Sequence, residues 1–259
     1  PRLRTASLAA SMPFSVAVLR SIVSCIDRPS DAASVLIAVS DATANDLVDR
    51  LGVDPRSTRT IHEGVDPGFA DSAASEPPFG ISGNYLLFVS TLEPRKNAVG
   101  VLRAFRLLVE WGYQGELVMV GQWGWRTDSI REELESSPVH NRIRHLDYVD
   151  RPQLAALYGG ADALLFPSWL EGFGLPLIES MACGTPVVCS NVSSLPKVTG
   201  EAALLFDPRN VGAMAEAIER VLGNGDLRRS LVAQGYERVK SFTWARCAEQ
   251  VLAVLEGIG

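Results

Sequence analysis

Short, unbroken apolar runs recur along this chain. Between them lie longer stretches in which apolar residues return every three or four positions. The runs at 35–39, 58–62, 85–89, 117–121, 142–146, 163–166, 186–189 and 203–206 predict strands, several apolar throughout as strands buried on both faces are. The intervening stretches predict helices over 97–111, 129–135, 153–158, 175–182, 210–222, 226–240 and 243–257. Val101, Leu102, Phe105, Leu108 and Val109 share one face of the first of these, and Met214, Ile218, Val221 and Leu222 one face of the fifth. Nearer the start, residues 14–26 predict a helix ended by Asp27-Arg28-Pro29-Ser30, and Ser40 or Asp41 caps another that runs to Leu51.

Strands alternating with helices imply right-handed crossovers and an α/β fold, a doubly wound, mostly parallel sheet covered on both faces. Residues 63–82 are rich in turn formers and read as a linker. The expected division is therefore 1–62, a linker over 63–82, a sheet domain over 83–241 and a closing helix over 242–259.

Composition narrows the classes. Of 259 residues, 47% are hydrophobic and 21% charged, an ordinary globular balance. No apolar run reaches the ~18 residues that a membrane-spanning helix needs. The net charge of −6 argues against a nucleic-acid partner. The four cysteines show no C-x-x-C spacing, which disfavours a zinc site or disulfide framework and suits reduced thiols in a cytoplasmic protein. The chain opens Pro1-Arg2-Leu3-Arg4, with no signal-peptide pattern behind it.

The first segment with chemistry is Ser90-Thr91-Leu92-Glu93-Pro94-Arg95-Lys96-Asn97, between a strand and a helix. Arg95 and Lys96 are adjacent cations at a strand's carboxyl end, beside helix N–H groups, so a diphosphate is a natural guest. Alone, the segment reads equally as a solvated basic turn with Asn97 as the helix cap.

The second is Glu171-Gly172-Phe173-Gly174-Leu175-Pro176-Leu177-Ile178-Glu179. Gly172 and Gly174 allow a sharp turn and close approach of a ligand, and Pro176 suits a helix's first turn. At about 100° per residue with Leu175 at zero, Ile178 falls at about 300°, Ala182 at about 340°, Glu179 at about 40° and Cys183 at about 80°. Glu179 thus points into the apolar stripe. A carboxylate there is costly unless bonded, so it either accepts hydrogen bonds from ligand hydroxyls or ties down a neighbouring loop.

A third segment, Gly121-Gln122-Trp123-Gly124-Trp125-Arg126, either lines a pocket or covers the sheet edge. His62, His140 and His145 show no ligand spacing. The chain contains no G-x-G-x-x-G, no G-x-x-x-x-G-K-[ST] and no G-x-S-x-G, which disfavours dinucleotide dehydrogenases, P-loop enzymes and α/β serine hydrolases.

In combination the motifs resemble the retaining, two-domain (GT-B) glycosyltransferases of family 4, particularly mannosyltransferase-like members. The likeness rests on Phe166-Pro167-Ser168, on Glu171 and Glu179 with seven residues between them, on Ser180-Met181-Ala182-Cys183-Gly184-Thr185-Pro186, and on Thr91 to Asn97. Ser40, Glu63-Gly64-Val65-Asp66 and Tyr148-Val149 extend it, and the segments 91–97, 121–126 and 190–196 carry its mannosyltransferase-like part. The resemblance implies a nucleotide-diphosphate sugar donor, with GDP-mannose the guess, and a glycan or lipid-linked acceptor met by peripheral association at the inner membrane face. It implies catalytic roles for Arg95 and Lys96, which neutralise the diphosphate, and for Glu171, which grips the sugar. It implies that Glu179 holds the ribose, that backbone at Gly172, Phe173, Gly174 and Leu175 grips sugar and phosphate, and that Ser90 and Val149 line the donor site. It also implies no metal or cofactor, and no Asp-x-Asp motif occurs.

Two departures stand out. Lys197 occupies a position where related sequences often carry Glu. Residues 1–62 fall short of a complete first domain, so an N-terminally incomplete chain is expected, with its last helix crossing back and Phe242, Trp244, Val251 and Leu255 partly uncovered. A nucleotide-sugar binding module inactive alone and an epimerase of the same fold are the alternatives.

Overall fold

The computed structural model describes residues 35–72 and 75–257; the helix expected over 14–26 lies outside them. A six-stranded, wholly parallel sheet organises most of it. Its strands are β3 (Tyr85–Val89), β4 (Glu116–Val120), β5 (Ile143–Leu146), β6 (Ala163–Phe166), β7 (Val187–Ser190) and β8 (Ala203–Phe206), in the order β5-β4-β3-β6-β7-β8. A separate parallel pair, β1 (Leu36–Ala38) and β2 (Thr58–Thr60), precedes it. The α/β class expected from the apolar rhythm is the one observed.

Period-two alternation divides each central strand between two cores. Tyr85 and Leu87 face one with Leu164, Phe166, Leu157, Tyr158, Leu177 and Ile178. Leu86 and Phe88 face the other with Leu117, Met119, Leu102, Phe105, Met214 and Ile218. The helices on the first side include α5 (Arg151–Gly160) and α6 (Leu175–Ala182), and those on the second α3 (Ala98–Glu110) and α8 (Val211–Gly223). The remaining helices are α1 (Asp41–Leu51), α2 (Gly68–Ser72), α4 (Asp128–Ser136), α7 (Leu195–Thr199), α9 (Gly225–Val239) and α10 (Trp244–Glu256).

The strand order reverses at β3. The chain moves outward through β4 to β5, then returns over the sheet to place β6 against β3's other edge. The loops leaving β3 and β6 therefore follow neighbouring strand ends at the reversal of strand order, the place where such sheets bind ligands.

Two short helices were not expected. In the 63–82 stretch, the Asp66 carboxylate accepts from Gly68 N–H at 2.8 Å and starts α2, whose Phe69 meets Tyr158 at 5.9 Å. Likewise, α7 follows Ser194, whose hydroxyl is engaged by the neighbouring loop.

Residues 63–65 run alongside the start of α10. Val65 N–H donates to Phe242 O at 3.0 Å, and a bridge pairs Val65 with Thr243. Phe242 corrects the expectation made for it. It is 2% exposed, packed edge-on to Phe173 at 5.5 Å and to His62 at 5.7 Å. Trp244 and Leu255 are exposed, as is Leu252, and Val251 is half-buried.

At Gly64 the two backbones pass so closely that a Cβ would lie 2.2 Å from Trp244 N. Neither segment is a flexible side chain, so the clash must move backbone. Gly64→Ala is expected to lower stability by about 1–3 kcal/mol, read as a lower urea midpoint. An unchanged midpoint would show that the crossing is looser than described.

Candidate functional site

The two loops at the switch point meet through charge. After β3 the chain crosses Ser90 to Glu93 in extended form and tightens into a single turn over Pro94–Lys96. Asn97 follows with φ +56°, a left-handed conformation that Asn tolerates better than most residues. Its side chain does not cap α3. It donates instead to Pro167 O at 3.3 Å and Pro208 O at 3.2 Å, and so holds the turn against the loop after β6. Trp169 N–H donates to Arg95 O at 2.9 Å, a second tie between the loops.

Across these ties Lys96 Nζ lies 2.5 Å from Glu171 Oε1, and Arg95 Nη1 lies 3.3 Å from Glu171 Oε2. Arg95 Nη1 also donates to Leu170 O at 2.8 Å. Lys96 further stands 5.7 Å from the Phe166 ring centroid, at the end of β6. Glu171 is 8% exposed, so its charge depends on these partners. The three residues assigned catalytic roles by resemblance thus share one cluster.

The Glu171 loop is fastened from behind. Ser193 and Ser194 hydroxyls donate to Glu171 O at 2.5 and 3.1 Å, and Ser194 also to Phe173 O at 3.0 Å. Thr43 Oγ1 of α1 donates to Gly172 O at 3.3 Å. Gly174 turns the chain into α6 with φ +106°, and a Cβ there would sit 3.0–3.1 Å from Leu177 and Leu195. Only glycine fits that turn without strain. Phe173 is buried beneath it, 5.8 Å from the His62 ring, and Leu175 is half-buried at the head of α6.

Glu179 is held apart from this cluster. One turn along α6, its Oε2 accepts from Tyr158 Oη of α5 at 3.0 Å. Burial pushes its carboxyl above the usual range, opposed by the Tyr158 bond and by Arg151. Burial likewise raises its neighbour Cys183 to about 12, with Glu179's charge adding to it. A carboxylate with one protein donor in an apolar setting has unused acceptor capacity, which ligand hydroxyls can fill.

Ser90 is half-buried at the end of β3, its N–H bonded to Val120 O at 2.9 Å. Val149 is buried just ahead of Asp150, the cap of α5, the helix that carries Tyr158. The Gly-Trp segment divides its roles. Trp123 covers His145 of β5 at 4.9 Å and lies beneath Arg131 at 3.7 Å, whereas Trp125 Nε1 donates to Glu93 Oε2 at 2.8 Å.

Sequence reasoning assigned no role to Tyr158, Ser193, Ser194, His62 or Glu93. Each has a partner distant in the chain, Glu93 also one two residues away in Arg95, and none carries a local signal beyond Glu93's place in the Thr91 to Asn97 motif. His62 packs between Phe173 and Phe242, and burial lowers its pKa against the nearby Asp41. Lys197 pairs with Asp41 at 3.1 Å on the surface.

Comparison with known proteins agrees with this architecture. The family model for glycosyl transferases group 1 matches residues 75–238. O-antigen chain mannosyltransferase B of Escherichia coli is 41% identical over 169 residues, 65% of this chain and 44% of the relative. MMP alpha-(1->4)-mannosyltransferase of Mycolicibacterium hassiacum is 31% identical over 85% of this chain and 53% of its own length. The chain thus spans about half the length of these curated relatives. Among solved structures, HepE of Anabaena, crystallised with UDP and glucose, superposes with a TM-score of 0.81 at 21% identity, over 94% of this chain and 67% of that one. Sucrose-phosphate synthase of Thermosynechococcus elongatus superposes at 0.76 with 27% identity, over 98% and 64%. With the family model covering more than half of it, the chain belongs to the group 1 glycosyltransferases, on a GT-B type fold.

Proposed function

We propose that this chain binds the donor in a metal-independent, retaining transfer of mannose from a nucleotide-diphosphate sugar, GDP-mannose in our reading, to a glycan or lipid-linked acceptor. The observation that carries the proposal is the meeting of Lys96, Arg95 and Glu171 at the reversal of strand order. Two of these relatives, both named as mannosyltransferases, support the choice of sugar. The donor unit is residues 83–241, joined through 63–82 to an acceptor-side unit that includes 1–62, with 242–259 returning toward it. The reaction belongs on the cytoplasmic side of the membrane, where a lipid-linked acceptor would be presented.

In this reading Glu171 leaves its cationic partners for the hydroxyls of the donor sugar. Lys96 and Arg95 are then released to the diphosphate. As the bond from the anomeric carbon to the diphosphate oxygen breaks, negative charge grows on that oxygen, and the two cations with the first N–H groups of α6 stabilise it. The acceptor oxygen bonds to the anomeric carbon on the same face, and its proton passes to the departing diphosphate. Glu179 accepts from the ribose hydroxyls, and backbone near Val149 and Ser90 flanks the base and phosphates.

The test is calorimetric titration with the diphosphates and monophosphates of guanosine, uridine and thymidine. The joint replacement Arg95→Ala with Lys96→Ala should weaken the preferred diphosphate about a hundredfold and its monophosphate less than about tenfold. Equal losses would place the pair away from the phosphates.

Glu179 gives a second, opposite-signed pair of effects. Its carboxyl is raised in the folded chain, so its ionisation costs stability as pH rises from the unfolded value through the folded one. Glu179→Gln should therefore raise Tm at neutral pH by about 1–3 °C while weakening nucleotide binding about tenfold. Wild-type affinity should fall as pH drops through the raised carboxyl's titration, and the variant should lose that inflection. Unchanged nucleotide affinity in the variant would remove Glu179 from the site.

A further inference from the structure

Glu93 is a buried carboxylate that the reading above does not use. It is 8% exposed, and both its oxygens are engaged. Oε1 lies 3.1 Å from Arg95 Nε and 2.9 Å from Arg95 Nη2, so it occupies one edge of the guanidinium. Oε2 accepts from Trp125 Nε1 at 2.8 Å. The Nη1 end of Arg95 is thereby turned to the opposite loop, where it meets Leu170 O and Glu171. A continuous path runs from the loop after β4, through Trp125, Glu93 and Arg95, to the loop after β6.

The loops are brought into reach by backbone. Leu92 and Trp123 form a parallel bridge, and Gly124 N–H donates to Leu92 O at 3.0 Å. This extends the β3–β4 pairing past the strand ends, so Trp125 arrives opposite Glu93 with its indole N–H available to that carboxylate.

An arginine side chain is long and has many rotamers. Fixing it without a partner costs conformational entropy at the moment a ligand binds. A partner that occupies Nε and Nη2 while leaving Nη1 toward the crevice removes that cost beforehand. We infer that Glu93, itself held by Trp125, is a positioning residue that aims Arg95 at the diphosphate. The inference rests on the donor-site reading proposed above and assigns the Gly-Trp segment to the same site.

Glutamine cannot replace this carboxylate. Its amide has one acceptor oxygen, and its NH2 would face an N–H of either Arg95 or Trp125. Titration of the purified protein with GDP, GMP and inorganic pyrophosphate tests the inference. The wild-type protein should prefer GDP to GMP; a wild-type protein without that preference overturns the donor-site reading and the inference with it. Given the preference, Glu93→Gln should narrow the GDP-to-GMP affinity ratio about tenfold and weaken pyrophosphate similarly, with GMP affinity nearly unchanged. Arg95→Ala should lose a comparable factor, and the double variant no more than Arg95→Ala alone, because the carboxylate acts only through that guanidinium. Trp125→Phe removes the indole N–H and keeps an aromatic ring, and should cause a smaller loss in the same direction. The inference is overturned if Glu93→Gln and Trp125→Phe keep the wild-type ratio. Losses that add in the double variant, or equal losses of GDP and GMP, overturn it too.

Discussion

Everything at this site depends on the pairing of Glu171 with Lys96 and Arg95 between the loops that follow β3 and β6. The pairing needs the strand-order reversal, which puts these two loops at neighbouring strand ends. It needs Gly174 with φ +106° to return the chain into α6, and Asn97 with φ +56° to bring the cationic turn down onto the loop after β6. It also needs Ser193 and Ser194 to fix the backbone of Glu171 from behind. These two cations and the carboxylates of Glu93 and Glu171 satisfy one another. In the proposed reading a diphosphate competes with these carboxylates for the cations, which favours a ligand able to engage both the cations and Glu171.

Much of the fold is legible in the sequence. Tyr85 to Val89 and Ala163 to Phe166 are apolar at every position, as strands covered on both faces are, and too short for buried helices. The helix faces were readable for the same reason: Val101, Leu102, Phe105 and Leu108 recur at helical spacing and are buried together. What escaped is short or tertiary. Gly68–Ser72 and Leu195–Thr199 are each five residues long, too brief to display a helical period. Phe242 looks in sequence like one more apolar residue of a closing helix. It is buried because Gly64 lets residues 63–65 run against that segment, and its aromatic partners His62 and Phe173 come from elsewhere in the chain.

The chemistry was legible to a different degree. Arg95 and Lys96 alone read equally as a solvated basic turn, and only in combination with Glu171 and Glu179, with seven residues between them, did the resemblance single them out. Their supporting residues carry no such signal. Tyr158 lies 21 positions from Glu179, and Trp125 lies 32 from Glu93. Glu179 shows how one residue can be read from both sides. Helix geometry alone put it in the apolar stripe, and the structure adds Tyr158, its one donor among the described residues, leaving a raised carboxyl with acceptor capacity to spare.

The most direct measurement is a crystal structure of the protein with an intact nucleotide-diphosphate sugar. The expected result has the diphosphate within hydrogen-bonding reach of Lys96 Nζ and Arg95 Nη1. Glu171 should be turned to the sugar hydroxyls and Glu93 still seated between Arg95 and Trp125. A diphosphate bound elsewhere, with the Lys96–Glu171 pair intact, would contradict it.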